Sequence, residues 1–220
     1  MGGLLVAVLE GLLRVRLTHF YHVFADGDWE IPVTEHLHAL TASGLLDTLD
    51  EVFVGIVGAP ENRARVRDAF PAVVVAEADE GWEQLTLQKL HDYAHNHEAK
   101  IFYAHTKGAY QPDELRTLWR VSMTHDTVTR WRECLDALDH VGVAGPYWLD
   151  SVMPEHSEHK HFFGGNFWWA RSDYIRTLSP VSVSNRYQAE GWIGLGNPSV
   201  KVMREGFPTW GNFWQPEVKR

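Results

Sequence analysis

The sequence predicts an α/β fold with a mostly parallel, twisted sheet that is flanked by helices. Short runs of β-branched and aromatic residues alternate with helical patterns through the first two thirds of the 220 residues. Such runs are typical of buried parallel strands, because crossover helices cover both faces of the sheet. The apolar fraction is 45% and the charged fraction is 22%, as in ordinary globular proteins. One domain over residues 1–220 is therefore predicted.

The strands and helices follow one another in chain order. Strands are predicted at residues 18–24, 51–57, 72–76, 100–104 and 141–144. Helices are predicted at residues 29–43, 84–97 and 113–138. Gly44 is a natural C-cap for the first helix, and Asp113 is suited to cap the third.

Three parts of the chain differ in character. Residues 1–17 are a lead-in, whose apolar run 2–13 contains Glu10 and is shorter than the ~20 residues that cross a bilayer. No transmembrane segment or secretion signal is predicted there. Residues 18–144 carry the alternating pattern. Residues 145–220 are aromatic, Gly-rich and rich in histidine, with shorter elements.

Charge and cysteine content exclude some classes of function. A net charge of −9 disfavours nucleic-acid binding, which depends on broad positive surfaces. The single Cys134 excludes an intramolecular disulfide framework and a zinc site with several cysteines. A cytoplasmic location is expected.

Polar and flexible residues follow the predicted fourth strand. Ligands in parallel α/β sheets gather where the strands end, so the loops 25–29, 58–60, 77–80 and 105–108 are expected on one rim. Lys107 can neutralise a pyrophosphate, Thr106 offers a hydroxyl, and Gly108 permits close approach of the backbone. The alternative is an ordinary turn with a solvated lysine.

Two further segments contain candidate ligand-binding residues. In residues 164–174, Asn166 precedes the adjacent Trp168 and Trp169, and indole rings stack well on sugars. Packing in an aromatic core is an equally good interpretation. In residues 186–194, Glu190 lies beside Trp192 and glycines, where desolvation can prepare a carboxylate to act as a base. A lone glutamate is more often a surface residue.

Histidines cluster at positions 156, 159 and 161. Their spacing differs from the His-Glu-x-x-His zinc motif, and Pro154 and Gly164 flank them. A mobile loop that closes over a ligand is predicted in preference to a zinc site.

Four segments together resemble a small group of bacterial and phage glycosyltransferase-like proteins, distantly similar to family 2 transferases of the GT-A fold. They are Tyr-His-Val-Phe-Ala-Asp-Gly-Asp-Trp (21–29), Phe-Tyr-Ala-His-Thr-Lys-Gly (102–108), Gly-Asn-Phe-Trp-Trp-Ala-Arg-Ser-Asp-Tyr-Ile (165–175) and Ala-Glu-Gly-Trp-Ile-Gly (189–194). The resemblance spans residues 18–196, and it implies that residues 18–144 bind the nucleotide sugar and that residues 145–220 bind the sugar and its acceptor. It implies a GT-A-like, Rossmann-like sheet and a nucleotide-sugar donor, for example a UDP sugar. The implied donor contacts are Phe24, Ala25, Asp26 and Gly27.

The same resemblance implies that Glu190 is the catalytic base and that Trp168 and Trp169 face the sugar or acceptor. One departure concerns the Asp-x-Asp motif that positions a metal ion in most GT-A enzymes. Here that place reads His105-Thr106-Lys107. Either Lys107, with Arg120, replaces the charge of the metal, or His105 and the diphosphate hold a manganese or magnesium ion.

The predicted function is therefore transfer of a sugar from a nucleotide sugar to an acceptor hydroxyl, with inversion, on a glycan, lipid or protein. A homo-oligomer is compatible with the sequence. The first alternative is a catalytically degenerate carbohydrate-binding protein on a transferase fold. The second, a nucleotidyltransferase, ranks last because no phosphate-binding Gly-rich fingerprint is present.

Overall fold

A seven-stranded mixed sheet forms the centre of the fold. The computed structural model describes residues 15–150, 161–182 and 187–215. The strands are β1 (Arg16–Phe24), β2 (Glu51–Val57), β3 (Val73–Ala78), β4 (Ala99–His105), β5 (Val143–Pro146), β6 (Trp148–Asp150), β7 (His161–Phe163), β8 (Trp168–Arg171) and β9 (Val200–Arg204). The helices are α1 (Glu30–Ala42), α2 (Pro60–Ala69), α3 (Gln84–Asn96), α4 (Glu114–Thr124), α5 (Trp131–Ala137), α6 (Ser172–Ile175) and α7 (Tyr187–Gly191). A π-helical turn, His125–Thr129, joins α4 to α5, and a 3-10 turn, Trp192–Gly194, follows α7.

The strand order is β3-β2-β1-β4-β8-β5-β9. Strands β1 to β4 are parallel, β8 is antiparallel to both of its neighbours, and β5 and β9 are parallel. Strands β6 and β7 form a separate antiparallel pair. The predicted mostly parallel α/β sheet with flanking helices is confirmed, in a Rossmann-like arrangement. Strands from both the 18–144 and the 145–220 parts build the same sheet.

The central strand β1 is covered on both faces, as a parallel strand between two others should be. Every side chain from Thr18 to Val23 is buried. The buried polar side chains of β1 have hydrogen-bond partners; for example, the Nδ1 atom of His22 lies 2.8 Å from the hydroxyl of Thr86. The apolar and aromatic residues of β1 therefore pack into the hydrophobic layers on both faces of the sheet.

The helix predicted at residues 113–138 is divided into three parts. Asp113 caps α4 as expected, because its side chain accepts from the backbone N–H of Arg116. The π-helical turn then interrupts the α-helical pattern and places Asp126 in the interior, with no exposed surface. Helix α2 was not predicted at all, because only Val66 of its ten residues is buried and its apolar pattern is correspondingly weak.

Strand β8 corrects the interpretation of the paired tryptophans. Successive side chains of a strand point to opposite faces of a sheet. Trp168 stacks on Tyr103 and Trp169 stacks on Phe102, each with ring centroids 5.1 Å apart, and neither indole is exposed. The two rings face opposite sides of the sheet, and each side of the sheet has a hydrophobic core. The prediction that Trp168 and Trp169 line a sugar-binding surface is therefore wrong.

Some predictions fall on residues outside the described ranges. These are the lead-in up to residue 14 and the histidines 156 and 159 of the predicted loop. Strand β1 begins at Arg16, so the last part of the predicted lead-in already belongs to the sheet. Within the described ranges, no helix combines the length and the apolar character needed to cross a bilayer.

Candidate functional site

The sheet has a topological switch point between β1 and β4. From β1 the chain crosses to β2 and β3 on one side, and then returns to place β4 on the other side. Ligands of open α/β sheets bind in the crevice that such a reversal leaves at the carboxyl ends of the strands. A cavity of about 410 Å³ opens at this place. It is lined by the end of β1, residues 82–83 before α3, residues 105–111 after β4, Arg116, and Tyr187 and Glu190 of α7.

The loop after β4 is held rigidly at the mouth of β1. Thr106 donates its backbone N–H to the carbonyl of His22, at 3.0 Å, and its hydroxyl accepts from the N–H of Phe24, at 2.9 Å. Arg120 donates to the carbonyl of Lys107, at 2.8 Å. The same guanidinium makes two bonds to Glu35, at 3.0 and 2.8 Å. Thr106 and Arg120 therefore position this loop, and the predicted contact of Arg120 with a donor is replaced by a supporting role.

Lys107 presents a positive charge to the cavity. Its ammonium group lies 4.0 Å from the centroid of the Trp119 ring, a cation–π contact that fixes the side chain. Within the described ranges, no carboxylate lies within ion-pair distance of this ammonium group. In contrast, Arg116 pairs with Asp113 on its own helix. Lys107 is thus a fixed cation whose charge is available to a ligand.

His105 is a neutral imidazole of defined tautomer. Its Nε2 atom lies 3.0 Å from the carbonyl oxygen of Gly165. A carbonyl only accepts hydrogen bonds, so Nε2 carries the proton and Nδ1 has a lone pair. Burial lowers the pKa of His105 to about 4, and the charge of Lys107 acts in the same direction. The ring is therefore neutral at pH 7.

Glu83 lies beside His105 in the cavity, and the sequence analysis did not select this glutamate. Its Oε1 atom lies 3.7 Å from Nδ1 of His105. Its Oε2 atom accepts from the hydroxyl of Tyr103, at 2.8 Å, and from the amide of Asn166, at 2.7 Å. The sequence signal was a Trp-Glu pair directly before α3, where the connection from β3 reaches the rim.

Asn166 and Trp168 hold this carboxylate and are not ligand contacts. Both side chains are fully buried, and the indole N–H of Trp168 donates to Oδ1 of Asn166, at 2.7 Å. Asn166 adopts a left-handed backbone conformation, with φ 58°, which directs its amide to Glu83. Trp192 is also buried, and its N–H donates to the carbonyl of Ser179, at 2.8 Å. The predicted contacts of Asn166 and Trp192 with a sugar are therefore corrected as well.

Glu190 lies where the sequence placed it, on the cavity wall near His105. The predicted donor residues at the end of β1 are divided between two cavities. Phe24 lines both, whereas Ala25 and Asp26 line a neighbouring cavity of about 620 Å³. Gly27 lines neither, since a Cβ atom there would lie 2.5 Å from the carbonyl oxygen of Ala109. Asp26 and Lys107 thus face adjacent cavities.

No group of three or more His, Cys, Asp and Glu side chains in the described ranges is arranged to hold a metal ion. Glu83 and His105 supply two atoms that are suited to a divalent ion, and a bound phosphate would have to supply others. A role for His105 as a metal ligand stays a prediction.

A domain family described as a domain of unknown function, DUF8361, matches residues 20–190. The chain belongs to this family. The matched region of DUF8361 contains the whole loop after β4, Glu83 and Glu190. No curated protein matches the chain in sequence.

Solved structures share the fold of this DUF8361 member at low sequence identity. A 4-diphosphocytidyl-2C-methyl-D-erythritol synthase from Anaerococcus prevotii has a TM-score of 0.50 and 8% identity, over 93% of this chain and 94% of that one. A second synthase of this name has a TM-score of 0.46 and 11% identity, over 94% and 95%. A third structure is a Mycobacterium sp. strain JC1 homologue of a Mycobacterium tuberculosis protein. It has a TM-score of 0.47 and 14% identity, over 91% of this chain and 94% of that one. At these identities the likeness shows the fold alone.

These findings contradict the predicted glycosyltransferase function. The family that matches is DUF8361, and a solved structure that shares the fold is a synthase of a diphosphocytidyl compound. The burial of Trp168 and Trp169 also removes the sugar-binding surface on which the glycosyltransferase prediction depended.

Proposed function

We propose that the protein is a nucleotide-dependent transferase that binds a nucleoside phosphate in the switch-point cavity. The observation that carries this proposal is Lys107, a fixed ammonium group without a carboxylate partner in the described ranges, at the site where such sheets bind ligands. An uncompensated cation in a cleft favours an anionic ligand, because the surrounding protein screens its charge less than water does.

The rim of the cavity suits the nucleoside part of such a ligand. Trp82 and Tyr110 are 49% and 67% exposed, and Phe24 packs edge-on against Tyr110. Exposed aromatic rings beside a cation can stack on a nucleobase while the phosphates reach Lys107. A backbone that is tied at Thr106 and Arg120 would hold these groups in place before binding, which lowers the entropy that binding costs.

The fold supports nucleotidyl transfer as the class of reaction. A synthase of a diphosphocytidyl compound has the same fold over nearly the whole chain. This chemistry is the alternative that ranked last on sequence motifs, because the chain has no Gly-rich phosphate-binding fingerprint. The proposed phosphate contact is instead a single lysine on a β–α loop. CTP is accordingly the first nucleotide to test, with and without manganese.

Replacing Lys107 by methionine is expected to weaken CTP binding about ten- to a hundredfold, the equivalent of one charged hydrogen bond of roughly 1.5–3 kcal/mol. Methionine keeps the packing of the stem on Trp119 and removes only the charge. Isothermal titration calorimetry measures the affinity. Lys89→Met, at an exposed position of α3, is the matched control and should bind CTP as the unaltered protein does. Equal affinity of all three proteins for every nucleoside triphosphate would refute the proposal.

A further inference from the structure

One wall of the switch-point cavity presents only hydrogen-bond acceptors. We call it the acceptor wall, and it consists of Glu83 Oε1, His105 Nδ1 and the carboxylate of Glu190. No donor from the described ranges bonds to Oε1 of Glu83 or to Nδ1 of His105. These two acceptor atoms lie 3.7 Å apart, and neither carries a proton that could form a hydrogen bond between them. A ligand that brings donors would complete both.

The acceptor wall is fixed by buried partners. Oε2 of Glu83 is held by the hydroxyl of Tyr103 and the amide of Asn166, which leaves only Oε1 for a ligand. The carbonyl of Gly165 fixes the tautomer of His105. Because Asn166, Tyr103 and Trp168 are fully buried, this orientation does not depend on a ligand. Such prepared acceptors are typical of sites that select hydroxyl groups, since an analogue without the hydroxyl leaves them unpaired.

The charges around the wall decide which kind of donor fits. Glu83 and Glu190 would repel a phosphate or carboxylate placed against them. Lys107, whose charge acts on His105, offsets part of the attraction that the two carboxylates exert on an ammonium group. An uncharged hydroxyl avoids the repulsion that an anion meets, because it donates to the wall without carrying charge. The anionic ligand and the hydroxyl ligand therefore belong to different parts of one cavity.

We propose that the acceptor wall binds an uncharged, polyol-like second substrate, one hydroxyl of which donates to His105 Nδ1 and a neighbouring hydroxyl to Glu83 Oε1. The assignment as a second substrate rests on the proposed function, whereas the binding itself does not. In the transfer, the hydroxyl oxygen forms a bond to the α-phosphorus of the nucleotide as the bond to pyrophosphate breaks. The proton passes to Nδ1 of His105, beside the Glu83 carboxylate, and Lys107 offsets the charge on the departing pyrophosphate.

A matched pair of probes tests the requirement for a donor. Glycerol and its trimethyl ether share the same oxygen positions, but only glycerol donates hydrogen bonds. In protein labelled with 15N-histidine, glycerol is expected to shift the Nδ1 resonance of His105 upfield in a saturable manner, and the ether is not. His105→Gln assigns the resonance. Inorganic phosphate, the third probe, is expected to leave it at its position.

Glu83→Gln should close the subsite. The glutamine oxygen remains with the donors of Tyr103 and Asn166, so its amide nitrogen faces His105 and can donate to Nδ1. We expect the dissociation constant for glycerol to rise at least tenfold, while CTP binding is retained and thermal stability changes little. Glu61→Gln, the same substitution at the start of α2 and outside the cavity, should leave glycerol binding unchanged.

The outcomes separate this inference from the proposed function. CTP binding together with equal shifts from glycerol and its ether, or with a shift from phosphate alone, would overturn the hydroxyl subsite and leave the nucleotide site standing. Glycerol binding that Glu83→Gln abolishes, in a protein that binds no nucleotide, would support the subsite and overturn the transferase proposal.

Discussion

Acidification from pH 6.5 towards pH 4 is expected to unfold the protein in a steep, cooperative transition. Four histidines are neutral in the native state, three of them buried and His105 largely buried at the cavity. Burial lowers the pKa of His19 to about 3 and that of His22 and His105 to about 4, and it holds the pKa of His36 well below its ordinary value of 6.5. The unfolded chain binds these protons near pH 6.5, whereas the native protein does not.

The sign of the effect follows from that difference. A histidine whose pKa is lowered by folding binds more protons in the unfolded state between its two pKa values, so stability falls as the pH falls through this interval. Each such histidine contributes about 1.4 kcal/mol per pH unit, and four together about 5 kcal/mol per unit where all of them differ. Native domains are stable by about 5–15 kcal/mol, so a loss over one to three pH units suffices.

Denaturant unfolding at a series of pH values measures this slope. His22→Asn keeps a polar atom for the hydroxyl of Thr86 and removes one titrating ring, so the slope between pH 4 and pH 6 should fall by about a quarter. His38→Asn, at an exposed position of α1, is the control and should leave the slope as it was. A stability that is flat from pH 6.5 to pH 4 would show that the four rings are not held neutral.

Periodicity predicted the parts of the fold that repeat a simple pattern. Strands β1, β2 and β4 were found almost to the residue, because a parallel strand with both faces covered is apolar throughout. Helix α2 escaped because a largely exposed helix lacks an apolar stripe. Strand β8 escaped because an antiparallel strand inserted between β4 and β5 is a long-range pairing that no local pattern encodes.

The site was predictable to the extent that it follows a strand. Lys107 and His105 reach the cavity because the carboxyl ends of parallel strands share a rim, whereas Glu190 reaches it from α7. Glu83 could not be selected in this way, since its significance lies in Tyr103 and Asn166, which are distant in sequence. Asn166 and Trp168 are also far from Glu83 in sequence, so their role in holding its carboxylate could not be predicted. Their composition alone suggested that they contact a ligand.

Asp126→Asn is expected to reduce the free energy of unfolding by about 3–5 kcal/mol, the usual cost of removing one partner from a buried ion pair. The side chain of Asp126 has no exposed surface and accepts from Arg204 through both oxygens, at 2.6 and 2.9 Å. Arg130 and His125 approach the same carboxylate, at 3.4 and 3.0 Å. Asparagine keeps the size but leaves the Arg204 guanidinium without its counter-charge, whereas Arg130 keeps its ion pair with Glu133.

The consequence should be confined to the region that this carboxylate joins. Arg204 lies on β9, and Asp126 lies in the turn between α4 and α5, so the pair fastens the last strand of the sheet to the helical layer. For a chain of this size, 3–5 kcal/mol corresponds to a melting temperature lower by roughly 6–20 °C, which calorimetry can measure. Asp139→Asn breaks an ion pair to Lys100 in which the carboxylate is 63% exposed, so the loss of stability should be far smaller than for Asp126→Asn. Equal losses in the two variants would mean that burial adds nothing to the Asp126 pair.

CTP binding by the folded Asp126→Asn protein should be unchanged, because neither Asp126 nor Arg204 lines the switch-point cavity.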